Sequence, residues 1–221
     1  MEKTQELNLT LFKKPFPHII VDNFYDEEEL QLIWEELNFY TKPGKLVEAK
    51  DYGGVIGFTS AKALVLDEIY QDYSKHGGKN WRTMSNILKV NRKLFASGIL
   101  DAYAEVDDCV CIVNQSNQDT TKVRYYHNGD AYDPHTDKGF QFLAFSYFYR
   151  EPKKFRGGEL YFPKYKYKFA CNNNSMIVFP GWVEHGVREI KIEESNYYDG
   201  WGRYAITSFF GYNPIVTGKL S

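Results

Sequence analysis

Between residues 122 and 212 the sequence alternates short runs of β-forming residues with turn residues. Short, evenly spaced runs of this kind indicate antiparallel strands, and eight of them fit a jelly roll. The predicted strands cover residues 122–127, 131–136, 140–149, 158–162, 166–170, 175–180, 184–191 and 203–212. We therefore expect a mainly β chain, and an aromatic content of 17% suits a large aromatic core for it.

The segment before these strands carries helical patterns. An aspartate followed by three glutamates marks a first helical turn, and apolar residues then repeat at helical spacing, which predicts a helix over 26–38. The apolar spacing over 81–103 is compatible with one long helix or two shorter ones, with Gly98 as a weak point. A short helix is predicted over 64–73 and a strand over 106–114. We expect these flanking helices to pack on one outer face of the jelly roll.

The organisation of the chain is predicted to be simple. No internal repeat, low-complexity tract or linker is visible, and 221 residues suffice for one large β domain with helical additions. We expect a single domain over residues 1–221. It comprises a helical and β support over 9–114 and a jelly-roll core over 121–213.

Composition argues against several classes of partner. A net charge of −2 gives no bulk attraction to nucleic acid, and no apolar stretch of about 20 residues predicts a membrane span. The charged N-terminus lacks the apolar region of a secretory signal. Three cysteines, with Cys109 and Cys111 on one face of a predicted strand, indicate reduced core thiols in a cytoplasmic protein. No feature indicates an oligomeric state.

A His-x-Asp pair and a distant histidine form a candidate metal site. His135 and Asp137 are two residues apart in an extended segment, so both side chains can reach one ion, and His185 follows 48 residues after Asp137. Two imidazoles and one carboxylate on one face of an octahedron suit non-haem Fe(II), which needs open positions for O₂ and a cosubstrate. The same ligands with one water also suit a hydrolytic zinc site, so they alone do not separate the two metals.

A later arginine favours iron. Arg203 opens an apolar run over 203–212 that is predicted to be a buried strand. Its planar guanidinium is suited to bidentate capture of a carboxylate, and a buried charge without a partner is very costly. A dicarboxylic cosubstrate that chelates the metal with one end would supply that partner with the other.

Five motifs occur in a characteristic order over roughly residues 121–213. They are Tyr126-x-x-Gly-Asp, His135-Thr-Asp137, Arg156-Gly-Gly-Glu-Leu-Tyr-Phe-Pro163, Val178-Phe-Pro with His185, and Arg203-Tyr-Ala-Ile-Thr207. Together they resemble the 2-oxoglutarate- and Fe(II)-dependent dioxygenases, and within them the prolyl 4-hydroxylase-like group. The last string looks particularly like the oxygen-sensing prolyl hydroxylases, whereas collagen-type members generally carry Lys at the position of Arg203.

The resemblance implies a double-stranded β-helix core and specific roles for several residues. Iron would be held by His135, Asp137 and His185, and the distal carboxylate of 2-oxoglutarate by Arg203. Two further contacts to the cosubstrate pocket are implied for Tyr126 and Thr207.

The implied activity is hydroxylation of a C–H bond with release of succinate and CO₂. The implied cofactors are Fe(II), 2-oxoglutarate and O₂, with ascorbate as a further candidate. The prolyl hydroxylase resemblance favours a prolyl residue in a peptide or protein as the substrate. A free amino acid or another small molecule is the alternative, because fold and metal site do not set the substrate.

Two departures from the family pattern concern the pocket. Alignment places the family's second tyrosine on Phe148, with Tyr147 and Tyr149 on either side; Tyr147 is the candidate for the hydroxyl, and the sequence leaves the choice between the two open. An insertion over 191–202 is expected to form a hairpin or loop near the pocket mouth. The aromatic pocket walls are predicted to be Phe140, Phe142, Phe209 and Trp182.

Two other classes of function compete with this interpretation. A zinc hydrolase on the same ligands would need a general base near the metal and would not need Arg203. A non-catalytic jelly-roll binding module would tolerate the loss of a ligand, and the presence of all three counts against it.

Overall fold

The computed structural model describes residues 7–48, 61–70, 81–193 and 195–212. Within these ranges the strands are β1 (Asn8–Phe12), β2 (His18–Asp22), β3 (Val47–Glu48), β4 (Lys62–Val65), β5 (Gln118–Tyr126), β6 (Tyr132–His135), β7 (Phe142–Phe148), β8 (Phe155–Gly157), β9 (Leu160–Phe162), β10 (Tyr167–Phe169), β11 (Ser175–Pro180), β12 (His185–Val187), β13 (Ile190–Ile192) and β14 (Arg203–Gly211). The α-helices are α1 (Glu27–Tyr40), α2 (Leu66–Tyr70), α3 (Asn86–Val90), α4 (Lys93–Ala96) and α5 (Ile99–Ala104). Short 3₁₀ helices cover Arg82–Met84, Asp108–Gln115, Pro163–Tyr165 and Tyr197–Asp199.

A large antiparallel sheet packs against a smaller one. The large sheet has eight strands in the order β1-β2-β11-β7-β14-β5-β4-β3, and the small sheet has the order β10-β9-β12-β6. Strands β13 and β8 form a separate pair. Aromatic and aliphatic side chains from the inner face of the large sheet share one buried cluster with those of the smaller sheets. This arrangement confirms the predicted mainly β, jelly-roll architecture.

Strand β7 shows how side-chain alternation divides the core. Its residues Phe142–Phe148 are all buried, which is why this stretch reads as a continuous apolar run. Phe145 and Tyr147 belong to the inner cluster, whereas Ala144 and Phe148 belong to the outer cluster with the helices. Successive side chains of a strand point to opposite faces, so each core receives every second residue.

The helices cover the outer face of the large sheet, as predicted. Ile33 and Leu37 of α1 and Leu88 of α3 pack in the same cluster as Tyr204 of β14. None of the helices in the described ranges is long and apolar enough to cross a membrane.

Helix α1 confirms the prediction over 26–38 and extends it to Tyr40. A capping box starts it, because the Asp26 carboxylate accepts from the Glu29 N–H at 2.8 Å while the Glu29 carboxylate accepts from the Asp26 N–H at 3.0 Å. Buried Glu36 then joins α1 to α3. Its carboxylate accepts from the backbone N–H of Ile87 at 2.7 Å.

Other helical predictions need correction. The segment 81–103 forms short helices rather than one or two longer ones, and Gly98 separates α4 from α5 with a φ of +75°. The short helix predicted over 64–73 begins at Leu66, after two residues that pair in β4. Residues 71–73 of that prediction lie outside the described ranges.

The strand predicted over 106–114 is wrong. Residues Asp108–Gln115 form a 3₁₀ helix, and Asp107 caps its start, because its carboxylate accepts from the Cys109 N–H at 3.2 Å. Val110 and Val113 are buried three residues apart, a helical spacing rather than an alternating one. Cys109 and Cys111 are therefore exposed free thiols, and the prediction of core cysteines holds only for Cys171.

Two boundaries in the small sheets also differ. The strand predicted over 184–191 divides into β12 and β13 at Arg188 and Glu189. Strand β8, which was not predicted, pairs with β13 through Ile190 opposite Gly157.

Candidate metal centre

The two candidate histidines lie on neighbouring strands of the small sheet. Strand β6 ends at His135, strand β12 begins at His185, and these two residues are Cα partners in the antiparallel pair. The pairing brings together side chains that are 50 residues apart in the chain, as the numbering shows.

Asp137 reaches the same place from a turn rather than from a strand. Its N–H donates to the Gly181 carbonyl at 2.9 Å, and its own carbonyl accepts from the Phe140 N–H at 2.9 Å. A Cβ at Gly181 would lie 2.2 Å from the Phe140 carbonyl oxygen, so only glycine allows this close approach. The expectation that His135 and Asp137 share a strand face is corrected, because β6 stops at His135.

The three side chains converge. The Asp137 Oδ2 atom lies 3.8 Å from His135 Nε2 and 3.4 Å from His185 Nε2, and the three ligand atoms all lie within 4.8 Å of one another. Ligand atoms bound at about 2.1 Å to one ion lie roughly 3.0–3.8 Å apart at angles of about 90–130°. The cluster therefore has the dimensions of a divalent metal site.

Hydrogen bonds to backbone carbonyls orient both imidazoles. His135 Nδ1 lies 2.9 Å from the Asp133 carbonyl oxygen, and His185 Nδ1 lies 2.9 Å from the Val183 carbonyl oxygen. A proton on each Nδ1 leaves the lone pair of Nε2 free for a metal. Among the described residues, the buried Nε2 of His185 has no hydrogen-bond partner. A cation would satisfy this nitrogen, so the residues present fit a metal ion.

The electrostatic surroundings of His135 and Asp137 favour the protonation states that bind a cation. Burial and the neighbouring His185 lower the pKa of His135 to about 4, so its imidazole is neutral at pH 7. Burial by itself raises the pKa of Asp137, but His185, His135 and Arg124 outweigh it and hold that pKa below its usual range. A neutral imidazole and an ionised carboxylate are the protonation states that bind metals.

A cavity opens beside the three residues. Its walls come from the inner faces of β5, β7 and β14 and from the small sheet. It is lined by Lys122, Arg124, Tyr126, Tyr132, His135, Asp137, Phe140, Phe145, Tyr147, His185, Val187, Arg203, Ala205, Thr207 and Phe209. All four residues predicted for the cosubstrate pocket, namely Tyr126, Tyr147, Arg203 and Thr207, lie on this lining.

Arg203 is a buried cation aimed into this cavity. It is 1% exposed, and its guanidinium lies between the rings of Tyr126 and Tyr147, 4.5 Å and 5.0 Å from their centroids. Its Nη1 donates to the Gly158 carbonyl at 2.5 Å. Within the described ranges its Nε has no hydrogen-bond partner and no carboxylate pairs with it. The site therefore offers a buried positive charge to an anionic ligand.

Side-chain alternation along β7 places neighbouring residues in different surroundings. Tyr147 faces the cavity, whereas Phe148, one residue later, faces the helices. The Tyr147 hydroxyl is buried and has no hydrogen-bond partner among the described residues, and burial raises its pKa well above the usual value. Tyr147 therefore presents a neutral hydroxyl in the cavity, and its ring lies beside the Arg203 guanidinium.

Three predictions about the pocket wall are wrong or partly wrong. Phe140 and Phe209 line the cavity, but Phe142 faces the outer core and Trp182 is 49% exposed. No described residue of the insertion over 191–202 lines the cavity. Tyr197 from this insertion instead packs on Tyr125, with ring centroids 5.0 Å apart, on the opposite face of β5 from the cavity.

Two cationic cavity residues were missed from the sequence. Lys122 and Arg124 precede Tyr126 at intervals of two, so all three side chains point to the same face of β5. That alternation was a signal in the sequence, and the prediction did not use it.

Comparisons with known proteins bear on the fold and the site. Residues 121–211 match the family model described as the 2OG-Fe(II) oxygenase superfamily. No curated protein matches the sequence.

Several solved structures share the fold. A Pseudomonas putida prolyl-4-hydroxylase is similar at 14% identity with a TM-score of 0.53, over 89% of this chain and 92% of that chain. A prolyl 4-hydroxylase from Phytophthora capsici is similar at 15% identity with a TM-score of 0.55, over 90% and 59%. An oxidoreductase of the 2OG-Fe(II) oxygenase family from Burkholderia pseudomallei is similar at 14% identity with a TM-score of 0.52, over 87% and 84%. At such identities the likeness shows the fold, here the double-stranded β-helix.

Proposed function

We propose, from the match of residues 121–211 to the family model of the 2OG-Fe(II) oxygenase superfamily, that this protein is a 2-oxoglutarate-dependent dioxygenase that hydroxylates a prolyl residue. One observation carries the proposal. A His-Asp-His cluster of metal-site dimensions shares a cavity with a buried guanidinium that no carboxylate of the described residues neutralises. A metal site and a carboxylate anchor in one cavity are what a chelating diacid requires.

The residues divide the work between the metal and the cosubstrate. His135, Asp137 and His185 would hold Fe(II) through two Nε2 atoms and one carboxylate oxygen. When bound, Fe(II) with O₂ and 2-oxoglutarate supplies an oxidative decarboxylation that releases succinate and CO₂ and places one oxygen atom in a C–H bond. Ascorbate is included as the candidate reductant that maintains Fe(II).

Arg203 would bind the carboxylate of 2-oxoglutarate that is distant from the metal. Its guanidinium is held by the Gly158 carbonyl and by two tyrosine rings, and none of these contacts neutralises its positive charge. Tyr147 would donate its hydroxyl proton to the same carboxylate. Thr207 lies four residues after Arg203 on the same face of β14 and offers a hydroxyl on the same cavity wall. The aromatic rings of Phe145 and Phe209 keep bulk water from the cavity and so strengthen these charge interactions.

The prolyl part of the proposal is supported by the string from Arg203 to Thr207, which resembles the oxygen-sensing prolyl hydroxylases. Two of the structures that share the fold are also named as prolyl 4-hydroxylases. A zinc hydrolase on the same ligands leaves the buried charge of Arg203 without a role.

The test has a binding arm and a turnover arm. Anaerobic addition of Fe(II) and 2-oxoglutarate is expected to give a weak metal-to-ligand absorption in the visible range, and Asp137→Ala is expected to abolish it. With O₂ and a prolyl peptide, Fe(II) is expected to support succinate formation that Zn²⁺ does not. Hydrolytic activity with Zn²⁺ in the absence of 2-oxoglutarate would contradict the proposal.

A further inference from the structure

The cavity contains more positive charge than the cosubstrate needs. Lys122 and Arg124 project from β5 on the same side as Tyr126, and all three line the cavity. In the register of β5 and β14, Tyr126 is opposite Arg203, Arg124 is opposite Ala205 and Lys122 is opposite Thr207. At about 3.4 Å per residue, Arg124 lies about 7 Å and Lys122 about 14 Å along the strand from the Arg203 end. The two cations therefore line the part of the cavity remote from Arg203.

Neither cation forms an ion pair at salt-bridge distance within the part of the chain that the structure describes, and the carboxylates that act on Lys122 from further away are Asp137 and Glu68. The Arg124 guanidinium lies 4.9 Å from the centroid of the Tyr132 ring and interacts with the side chains of Tyr132 and Tyr126, but its buried Nη1 has no hydrogen-bond partner. The Lys122 ammonium lies 4.8 Å from the centroid of the Phe209 ring. Aromatic rings attract a cation but leave its charge uncompensated.

Binding of the metal and 2-oxoglutarate does not compensate the positive charges of Lys122 and Arg124. A divalent metal, the Asp137 carboxylate, a dianionic 2-oxoglutarate and the Arg203 guanidinium sum to zero formal charge. Lys122 and Arg124, two residues apart on one strand face, then repel each other without a carboxylate at ion-pair distance, which is unfavourable in a partly buried cavity. An anion that enters with the substrate relieves that repulsion.

We infer that Lys122 and Arg124 form a carboxylate-binding subsite for the substrate, so that the compound to be hydroxylated carries a carboxylate near its reacting C–H bond. This inference rests on the proposed function, because it assigns Arg203 to the cosubstrate. The carboxylate has two possible sources, the α-carboxylate of a free or C-terminal prolyl residue and an acidic side chain beside a prolyl residue within a peptide. In either case an uncharged internal prolyl segment lacks the group that the two cations bind.

The test compares each acid with its neutral amide. Wild-type protein loaded with 2-oxoglutarate and Mn²⁺, which replaces Fe(II) so that no turnover occurs, is titrated calorimetrically with L-proline and L-prolinamide. The second pair is N-acetyl-Asp-Pro-amide and N-acetyl-Asn-Pro-amide. At least one acid is expected to bind roughly 10- to 100-fold more tightly than its amide, the scale of a charge-assisted hydrogen bond. The pair that shows the preference identifies the source of the carboxylate.

Variants connect the preference to the two cations. The double substitution Lys122→Gln with Arg124→Gln is expected to bring the acid-to-amide ratio close to one, whereas Arg124→Lys, which keeps the charge, retains part of it. Lys164→Gln with Lys168→Gln removes two exposed charges outside the cavity and is the matched control.

Several results would overturn the inference. One is equal affinity for acid and amide in both pairs. Another is the absence of measurable binding for all four probes. A third is a preference for the acid that persists in the double variant. Arg124→Gln that weakens 2-oxoglutarate as much as Arg203→Gln does would assign this cation to the cosubstrate instead. Titration of the wild type with 2-oxoglutarate distinguishes failure of the proposed function from failure of the substrate-carboxylate inference. No cosubstrate binding refutes the proposed function and the inference with it, whereas normal cosubstrate binding without acid preference refutes the inference alone.

Discussion

His135 and His185 face each other across the β6–β12 pair, and their ring centroids lie 4.5 Å apart. Each ring is held by a backbone carbonyl two residues before it in the chain, so the sheet orients both Nε2 atoms. The metal set is thus built on paired strands, with only Asp137 supplied by a turn. A site whose ligands are held by strands loses little entropy when the metal binds.

We expect Asp137→Ala to weaken Fe(II) binding by more than about 100-fold, because the loss of a direct ligand exceeds the effect of losing an outer hydrogen bond. Metal content after gel filtration and the anaerobic absorption with 2-oxoglutarate measure it. Asp133→Asn is the control, because the backbone carbonyl of Asp133, not its exposed side chain, holds His135. Iron content in Asp137→Ala equal to that of the wild type would remove Asp137 from the ligand set.

Arg203→Gln is expected to weaken 2-oxoglutarate binding by about 2–5 kcal/mol, the scale for truncating one partner of a buried charge pair. Anaerobic titration of the absorption band gives the dissociation constant. Arg156→Gln, which removes an exposed guanidinium from β8, should leave that constant unchanged. An unchanged affinity in Arg203→Gln would mean that the cosubstrate carboxylate binds elsewhere.

Tyr147→Phe should weaken 2-oxoglutarate by about 0.5–1.5 kcal/mol, because it deletes one hydrogen-bond donor and keeps the ring that packs on Arg203. The same titration measures the effect. Tyr149→Phe provides the comparison, since Tyr149 packs on Phe155 and does not line the cavity. If Tyr149→Phe had the larger effect, the assignment of the second tyrosine would be reversed.

Gly181→Ala is expected to lower the free energy of unfolding by about 1–3 kcal/mol, because the new Cβ meets the Phe140 carbonyl oxygen and displaces the Asp137 turn. Urea unfolding of the metal-free protein measures the change, and iron affinity should fall with it. Gly139→Ala is the control, because a Cβ there meets nothing within 4 Å and no positive φ restricts it. Equal stability of the two variants would show that the turn adapts.

Buried His18 predicts a pH-dependent stability away from the metal site. Burial lowers its pKa below the usual 6.5, although its Nδ1 bonds the Phe16 carbonyl oxygen at 2.8 Å. The unfolded state therefore binds a proton first as the pH falls below about 6.5, and the free energy of unfolding decreases in that range by at most about 1.4 kcal/mol per pH unit for this residue. Urea unfolding of the metal-free protein between pH 8 and pH 5 should show a shallower decrease in His18→Gln than in the wild type. Parallel curves would exclude a contribution from His18.

Local patterns predicted the elements whose causes are local. Helix α1 was predicted because its capping box and apolar spacing lie within its own sequence. The 3₁₀ helix over Asp108–Gln115 was predicted as a strand, because its β-forming residues allow both conformations and the helix buries Val110 and Val113 in the outer core, a contact that the local sequence does not show. Cys109 and Cys111 were misplaced for the same reason.

The sequence by itself determined the chemistry that this chain can support. Two imidazoles, a carboxylate and a guanidinium in order, with alternating strands around them, were readable because side-chain chemistry and strand parity are properties of the chain. Only the tertiary structure decided which residues face that chemistry. Strand pairing set Arg203 opposite Tyr126 and turned Tyr147 inward and Phe148 outward, and it placed Lys122 and Arg124 in the same cavity. Alternation groups Lys122 and Arg124 with Tyr126 on one face of β5, but register between strands depends on contacts distant in sequence, so no local pattern specifies which strands face the same cavity.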